Sequence, residues 1–329
     1  MISSFITDSE RALKSVKSVR SRPCSSKRRA HLAQLAATIL VGGLFTACST
    51  TTVSVPAPAP IAPAAPAPAA PVAAAPAVAA KAPVDTSTID SILAGSHRAE
   101  ANRARDVYRH PKETLAFFGV KPDSKVVEVF PGGGWYTEVL APLVRDRGLY
   151  VAAFPAASVK GLQSFKDKLA TAPALYDKTA IMPLGPTALD IRPQGGADVV
   201  LTFRNVHNWV RVGAKASESM VDPFFKSFFN ALKPGGVLGV VEHRAKAGTT
   251  LEQAADSGYM TEAYVIERAL AAGFKLDAKS EINANPRDTK DYKEGVWTLP
   301  PVLTNKDVDR AKYMAIGESD RMTLRFVKP

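Results

Sequence analysis

The chain has 329 residues, of which 46% are hydrophobic, enough for the full core of one large domain or two small ones. Its formal charge of +11 would point to a nucleic-acid partner if it were spread over a folded surface. Eight Lys/Arg against two acids fall within residues 1–47, so more than half of the excess is N-terminal and no nucleic acid is expected.

That N-terminus reads as an export signal. Lys27, Arg28 and Arg29 precede an apolar run from Leu32 to Ala47, too short for a comfortable membrane span. Leu44-Phe45-Thr46-Ala47-Cys48 resembles the bacterial lipobox, which makes residues 1–47 a signal peptide and Cys48 the expected lipidation site. Ser49 beside it implies, by the same resemblance, the periplasmic face of the outer membrane, with the lipid as membrane anchor. The only other cysteine is Cys24, inside the signal, so no disulfide and no cysteine metal site are expected in the mature chain. Residues 48–87 are mostly Ala, Pro and Val, which builds no core and predicts a semi-extended tether.

Residues 88–329 form the expected globular part. Asp90 to Arg109 predicts a charged helix with a solvated face, and a short helix over Lys112–Phe118 follows His110-Pro111. The run from Lys125 to Val129 predicts a strand that breaks at Pro131 into Gly132, Gly133 and Gly134. A helix then recurs through Val139, Leu140, Leu143 and Val144. Glycines there let the backbone turn tightly and approach a ligand. Glu128 at the strand end suits hydroxyl or ammonium groups, and neither common phosphate motif is present.

Leu149–Phe154 predicts a second strand, Val159–Leu169 a helix, and Thr179–Leu184 a weaker strand followed by Asp190. Ala197–Phe203 predicts a strand that delivers Arg204-Asn205-Val206-His207-Asn208-Trp209 at its carboxyl end. A helix over Asp222–Leu232 leads to a strand over Val237–Val241 ending in Glu242-His243-Arg244. Tyr264–Ala272 reads as a helix, and Lys275–Ile282 follows it. The alternation of Met322–Val327 predicts a final strand. The alternation of strand and helix makes this an α/β doubly wound, mainly parallel sheet, whose ligands bind at the carboxyl ends of the strands.

Three segments together resemble the class I S-adenosylmethionine-dependent methyltransferases: VVEVFPGGGWYT, LKPGGVLGVVEHR and VIERALAAGFKL. RNVHNW and GESDRMTLRFVKP resemble an exported bacterial branch of that family. The resemblance implies a Rossmann-like methyltransferase fold with an antiparallel C-terminal strand and S-adenosylmethionine as cofactor. It places Glu128, Gly132, Gly133 and Gly134 at the methionine end, Asp190 near the adenine and Asn205 at the fourth strand's tip. Two positions depart from the pattern. Phe130 stands where the first motif glycine is usual, and Phe154 where an acid usually holds the ribose hydroxyls.

His207 is the candidate base, because a histidine titrates close to neutral pH. Arg204, Trp209 and Glu242 are the candidate contacts to a small or lipidic substrate. No HxxxH-type spacing occurs, so no metal site is expected. Three readings stay open: methyl transfer in the cell envelope, a non-catalytic envelope protein that reuses the fold for binding, or, against the missing phosphate motifs, a nucleotide or dinucleotide enzyme on a similar sheet.

Overall fold

The computed structural model describes residues 88–211 and 217–329. The expected signal peptide, Cys48 and the Ala/Pro tether lie outside the described residues. The strands are β1 (Lys125–Val129), β2 (Leu149–Pro155), β3 (Ala180–Leu184), β4 (Ala197–Phe203), β5 (Leu232–His243), β6 (Lys275–Ser280) and β7 (Arg321–Val327). They form one sheet in the order β3-β2-β1-β4-β5-β7-β6. Pairings from β3 through β5 are parallel, and β7 runs antiparallel to both β5 and β6. The α/β, mainly parallel architecture and its antiparallel final strand are those expected from the sequence.

The central strands are apolar on both sides because helices cover both faces. Val127 and Val129 of β1 join one core cluster with Phe224, Phe225 and Phe228 of the helix Val221–Ala231. Val126 joins the opposite cluster with Val139, Leu140 and Val144 of the helix Thr137–Val144. Each buried phenylalanine contributes about 1.5–3 kcal/mol. Among the described residues no helix is long and apolar enough to cross a membrane.

The sheet reverses its winding at β1, which lies between β2 and β4. That switch sets the turn after β1 beside the turn after β4, at the carboxyl ends where such sheets bind ligands.

The helix expected over Asp90–Arg109 is instead three short ones, Ile89–Ala94, Glu100–Arg103 and Asp106–Arg109. Its charged face is not solvated either, for Arg98 and Arg109 are only 2% and 3% exposed. Arg98 donates to both oxygens of Asp106 at 2.6 and 2.8 Å, a pairing that a straight helix would not close over eight residues. The strand expected from Val237 begins at Leu232, whose backbone already pairs with Ala197.

Candidate functional site

After β1 the chain passes through three left-handed residues, Phe130 (φ 49°), Gly132 (φ 57°) and Gly134 (φ 77°). For a bulky side chain such as Phe130 this conformation costs about 1–3 kcal/mol. Its ring is held edge-on at 6.2 Å from Trp209 and 5.8 Å from Phe224, contacts that offset the strain. The three glycines differ in surroundings. A Cβ at Gly133 would meet nothing within 4 Å, whereas one at Gly134 would meet the Lys168 chain at 2.8 Å. Lys168 crosses the turn to pair with the buried Glu138 at 2.5 Å.

Glu128 has a different task from the one expected. Its carboxyl is 3% exposed and lies on the Val126 side of the sheet, where the Tyr150 hydroxyl donates to it at 2.5 Å. Thr137 Oγ1 approaches the same oxygen at 3.4 Å. Burial raises its pKa from 4.5 to about 7, against the lowering by Tyr150, Thr137 and Arg204. Because the folded chain holds this proton more tightly than the unfolded chain, stability falls as pH rises from about 4.5 to about 7 and stays lower above that. The difference amounts to about 3 kcal/mol. Glu128→Gln should remove that fall, so urea denaturation should find the variant more stable than wild type at pH 8 and nearly equal at pH 4.5. Parallel curves for the two proteins would contradict the buried, proton-retaining carboxyl.

The tip of β4 carries the second half of the site. Arg204 is left-handed (φ 60°), half-buried, and fixed through its amide to the Val241 carbonyl at 2.7 Å. Asn205 spends its side-chain amide on the Val129 carbonyl at 2.9 Å and Thr202 Oγ1 at 3.2 Å, so it ties β4 to β1. Trp209 is 3% exposed and packs on Phe224, Phe225 and Phe228. It is core, not the wall of a substrate pocket. Asp190 is exposed and accepts the Arg192 amide at 3.1 Å, and no hydrogen bond or ion pair joins it to the glycine turn.

Glu242 is also redirected. It is fully buried at the end of β5, where its Oε2 accepts the Val206 amide at 2.6 Å. Its Oε1 accepts the His243 amide at 2.8 Å and faces His207 Nδ1 at 2.9 Å. A carboxylate with three N–H donors orients a neighbour rather than a substrate. It fixes the proton of His207 on Nδ1 and leaves the Nε2 lone pair free to accept. Nε2 makes no hydrogen bond among the described residues. His243 lies beside it, ring centroids 5.2 Å apart, with its own Nδ1 on Ser319 Oγ at 2.5 Å. Burial, then His207, Arg321, Arg204 and Arg109, press the His243 pKa well below its ordinary value, so it is neutral at pH 7.

His207, Glu242 and His243 offer ligand atoms within 4.8 Å of one another, a grouping that the absence of HxxxH spacing did not reveal. Both Glu242 oxygens are already engaged, and the charges facing His243 are arginines. That environment opposes a divalent cation and suits an oriented base. Sequence reasoning missed the partnership because the two residues stand 35 apart and meet only when β4 and β5 pair.

No family model matches the sequence, and no curated protein matches it. Among solved structures the chain is similar to the [4+2]-cyclase SpnF, at 17% identity and a TM-score of 0.48, over 71% of this chain and 84% of that one. It is similar to a SAM-dependent methyltransferase from Aquifex aeolicus at 16% identity and a TM-score of 0.43, over 60% of this chain and 93% of that one. It is also similar to the glycopeptide N-methyltransferase MtfA in complex with S-adenosylmethionine, at 14% identity and a TM-score of 0.44, over 67% and 87%. Likenesses at these identities and TM-scores carry no argument, and the fold rests on the strand order alone.

Proposed function

We propose that the protein transfers a methyl group from S-adenosylmethionine to a small or lipidic nucleophile, with His207 Nε2 accepting the proton that the nucleophile loses. The observation that carries this reading is the Glu242-oriented His207 just past the tip of β4, the strand that neighbours β1 and its glycine turn at the switch point of the sheet. When bound, the cofactor supplies a methyl on a positively charged sulfur, which departs as a neutral thioether. Gly132 and Gly133 would hold its methionine end, and the open space at Gly133 fits that use. The ribose end lacks its usual carboxylate, because Phe154 is buried at 5.3 Å from the Phe165 ring. Glu128 cannot replace it while it is bonded to Tyr150.

Titration calorimetry of the full chain with S-adenosylmethionine decides the matter. Saturable binding is expected, weakened tenfold or more in Gly133→Val, whose Cβ would meet nothing in the protein within 4 Å. Gly134→Val is a poorer test, since it would strain a left-handed position and strike Lys168. No binding to wild type would favour the second reading, a binding module, which Phe154 and the Lys168 crossing support. We place the activity in the cell envelope through a lipid on Cys48. Unchanged membrane fractionation of Cys48→Ser would remove that placement.

A further inference from the structure

Four arginines converge at the carboxyl ends of β4 and β5, and the chemistry above uses none of them. Arg105 and Arg109 come from the N-terminal helical segment, Arg204 from the tip of β4 and Arg321 from the first residue of β7. One carboxylate, Glu318, lies among them. Arg105 Nε reaches its Oε1 at 2.5 Å, Arg109 Nε its Oε2 at 3.2 Å, and Arg321 pairs with Oε2 as well. The side chains of Arg109, Arg321 and Glu318 are 3%, 3% and 1% exposed. Arg204 faces the same charges and makes no side-chain hydrogen bond or ion pair among the described residues.

The other carboxylates at this end are taken. Asp320 is held by Arg244 at 3.0 Å and Lys290 at 2.9 Å, and Glu242 by its three N–H donors. Four guanidiniums therefore share one dedicated acid. The Trp135 ring under Arg109 at 4.6 Å and the Tyr108 carbonyl on Arg321 at 3.1 Å soften the imbalance without neutralising it. Three donors remain buried without partners: Nη2 of Arg105, Nη2 of Arg109 and Nε of Arg321. Buried cations without counter-charge are strongly unfavourable.

We propose that this cluster binds the phosphate group of a phosphate monoester, and that a separate proton-bearing nucleophile of the same molecule is the methyl acceptor, giving its proton to His207 as the methyl leaves sulfur. Only the acceptor role rests on the methyl-transfer reading, and anion binding stands without it. A phosphate monoester brings close to two negative charges and several acceptor oxygens, matching an excess of cations with donors supplied by separate segments. A single carboxylate would satisfy one fork and leave the others unpaired.

The test uses the full-length protein without S-adenosylmethionine, titrated with inorganic phosphate and with glycerol 3-phosphate against chloride at constant ionic strength. Both phosphates should bind saturably and raise the melting temperature. Arg204→Ala, which breaks no ion pair, should keep its melting temperature in chloride and bind phosphate at least tenfold more weakly. Arg105→Gln, at the more exposed edge of the cluster, should also weaken binding. Absence of binding to wild type, or wild-type affinity in both variants, overturns the proposal. Vesicles containing phosphatidic acid, compared with phosphatidylglycerol, distinguish the source. Arg204-dependent preference for phosphatidic acid assigns a lipid source, and binding confined to the soluble esters assigns a soluble one. Phosphate binding without cofactor binding would end the methyl-transfer reading alone. Cofactor binding without phosphate binding would end this one alone.

Discussion

Glu318→Gln should destabilise the protein by about 3–5 kcal/mol at pH 7, the usual consequence of removing one partner from a buried ionic cluster. The glutamine would leave Arg105, Arg109 and Arg321 facing one another with no charge between them. Burial alone would raise the Glu318 pKa, but Arg109, Arg321, Arg105 and Arg204 outweigh it and hold it well below the usual carboxylate range. Its stabilisation is therefore complete above the ordinary carboxyl pKa and disappears as pH falls through the depressed value. Urea denaturation should show a large gap between variant and wild type at neutral pH that narrows in acid. Asp277→Asn is the control, because its pair with Arg325 is partly exposed (43% and 34%) and should change stability by no more than about 0.5 kcal/mol. A Glu318→Gln gap no larger than the control's would mean that the arginines are solvated. Phosphate should restore part of the lost stability if it occupies the cluster.

His207→Ala should lower kcat by ~10²–10⁴-fold while leaving the affinity for S-adenosylmethionine nearly unchanged. The separation is expected because His207 stands on Glu242 at the start of the short helix Val206–Val210, whereas the proposed place of the cofactor's methionine end is the turn after β1. Label transfer from methyl-tritiated S-adenosylmethionine into a cell-envelope extract, counted per folded molecule, reads the first quantity, and calorimetry reads the second. Glu242→Gln should also depress turnover, since one of its three N–H donors would face an amide N–H₂ and the His207 proton would no longer be fixed on Nδ1. That variant acts through His207 and should cost stability as well. A His207→Ala protein that loses stability but turns over normally per folded molecule would make the histidine a packing residue.

The strands were legible because a doubly covered sheet demands apolar runs, and Val126–Val129 and Ala197–Phe203 are such runs. The direction of a polar side chain leaving a strand was harder to read. Glu128 and Phe130 both flank Val129, yet one descends under the helix Thr137–Val144 and the other packs on Trp209. Face alternation in β1 predicts the first, but the second depends on a left-handed φ that no pattern of hydrophobicity encodes. The site divides in the same way. His207 and Glu242 were each noticeable for their place at a strand end, and only register made them partners. Glu318 and Arg321 were visible merely as part of a C-terminal motif. Arg105 and Arg109 were hidden in a helix that looked solvated, because their counter-charge lies more than 200 residues away.

That separation has a kinetic side. Arg105 and Glu318 stand 213 residues apart, and β7 must slot between β5 and β6 before Arg321 can join them. Contacts of such long range close late in folding, since the loop entropy is lost before they form. The arginine cluster is thus a clasp between the two ends of the described domain. A ligand seated in it would hold that clasp shut, slowing the first step of unfolding more than it speeds folding.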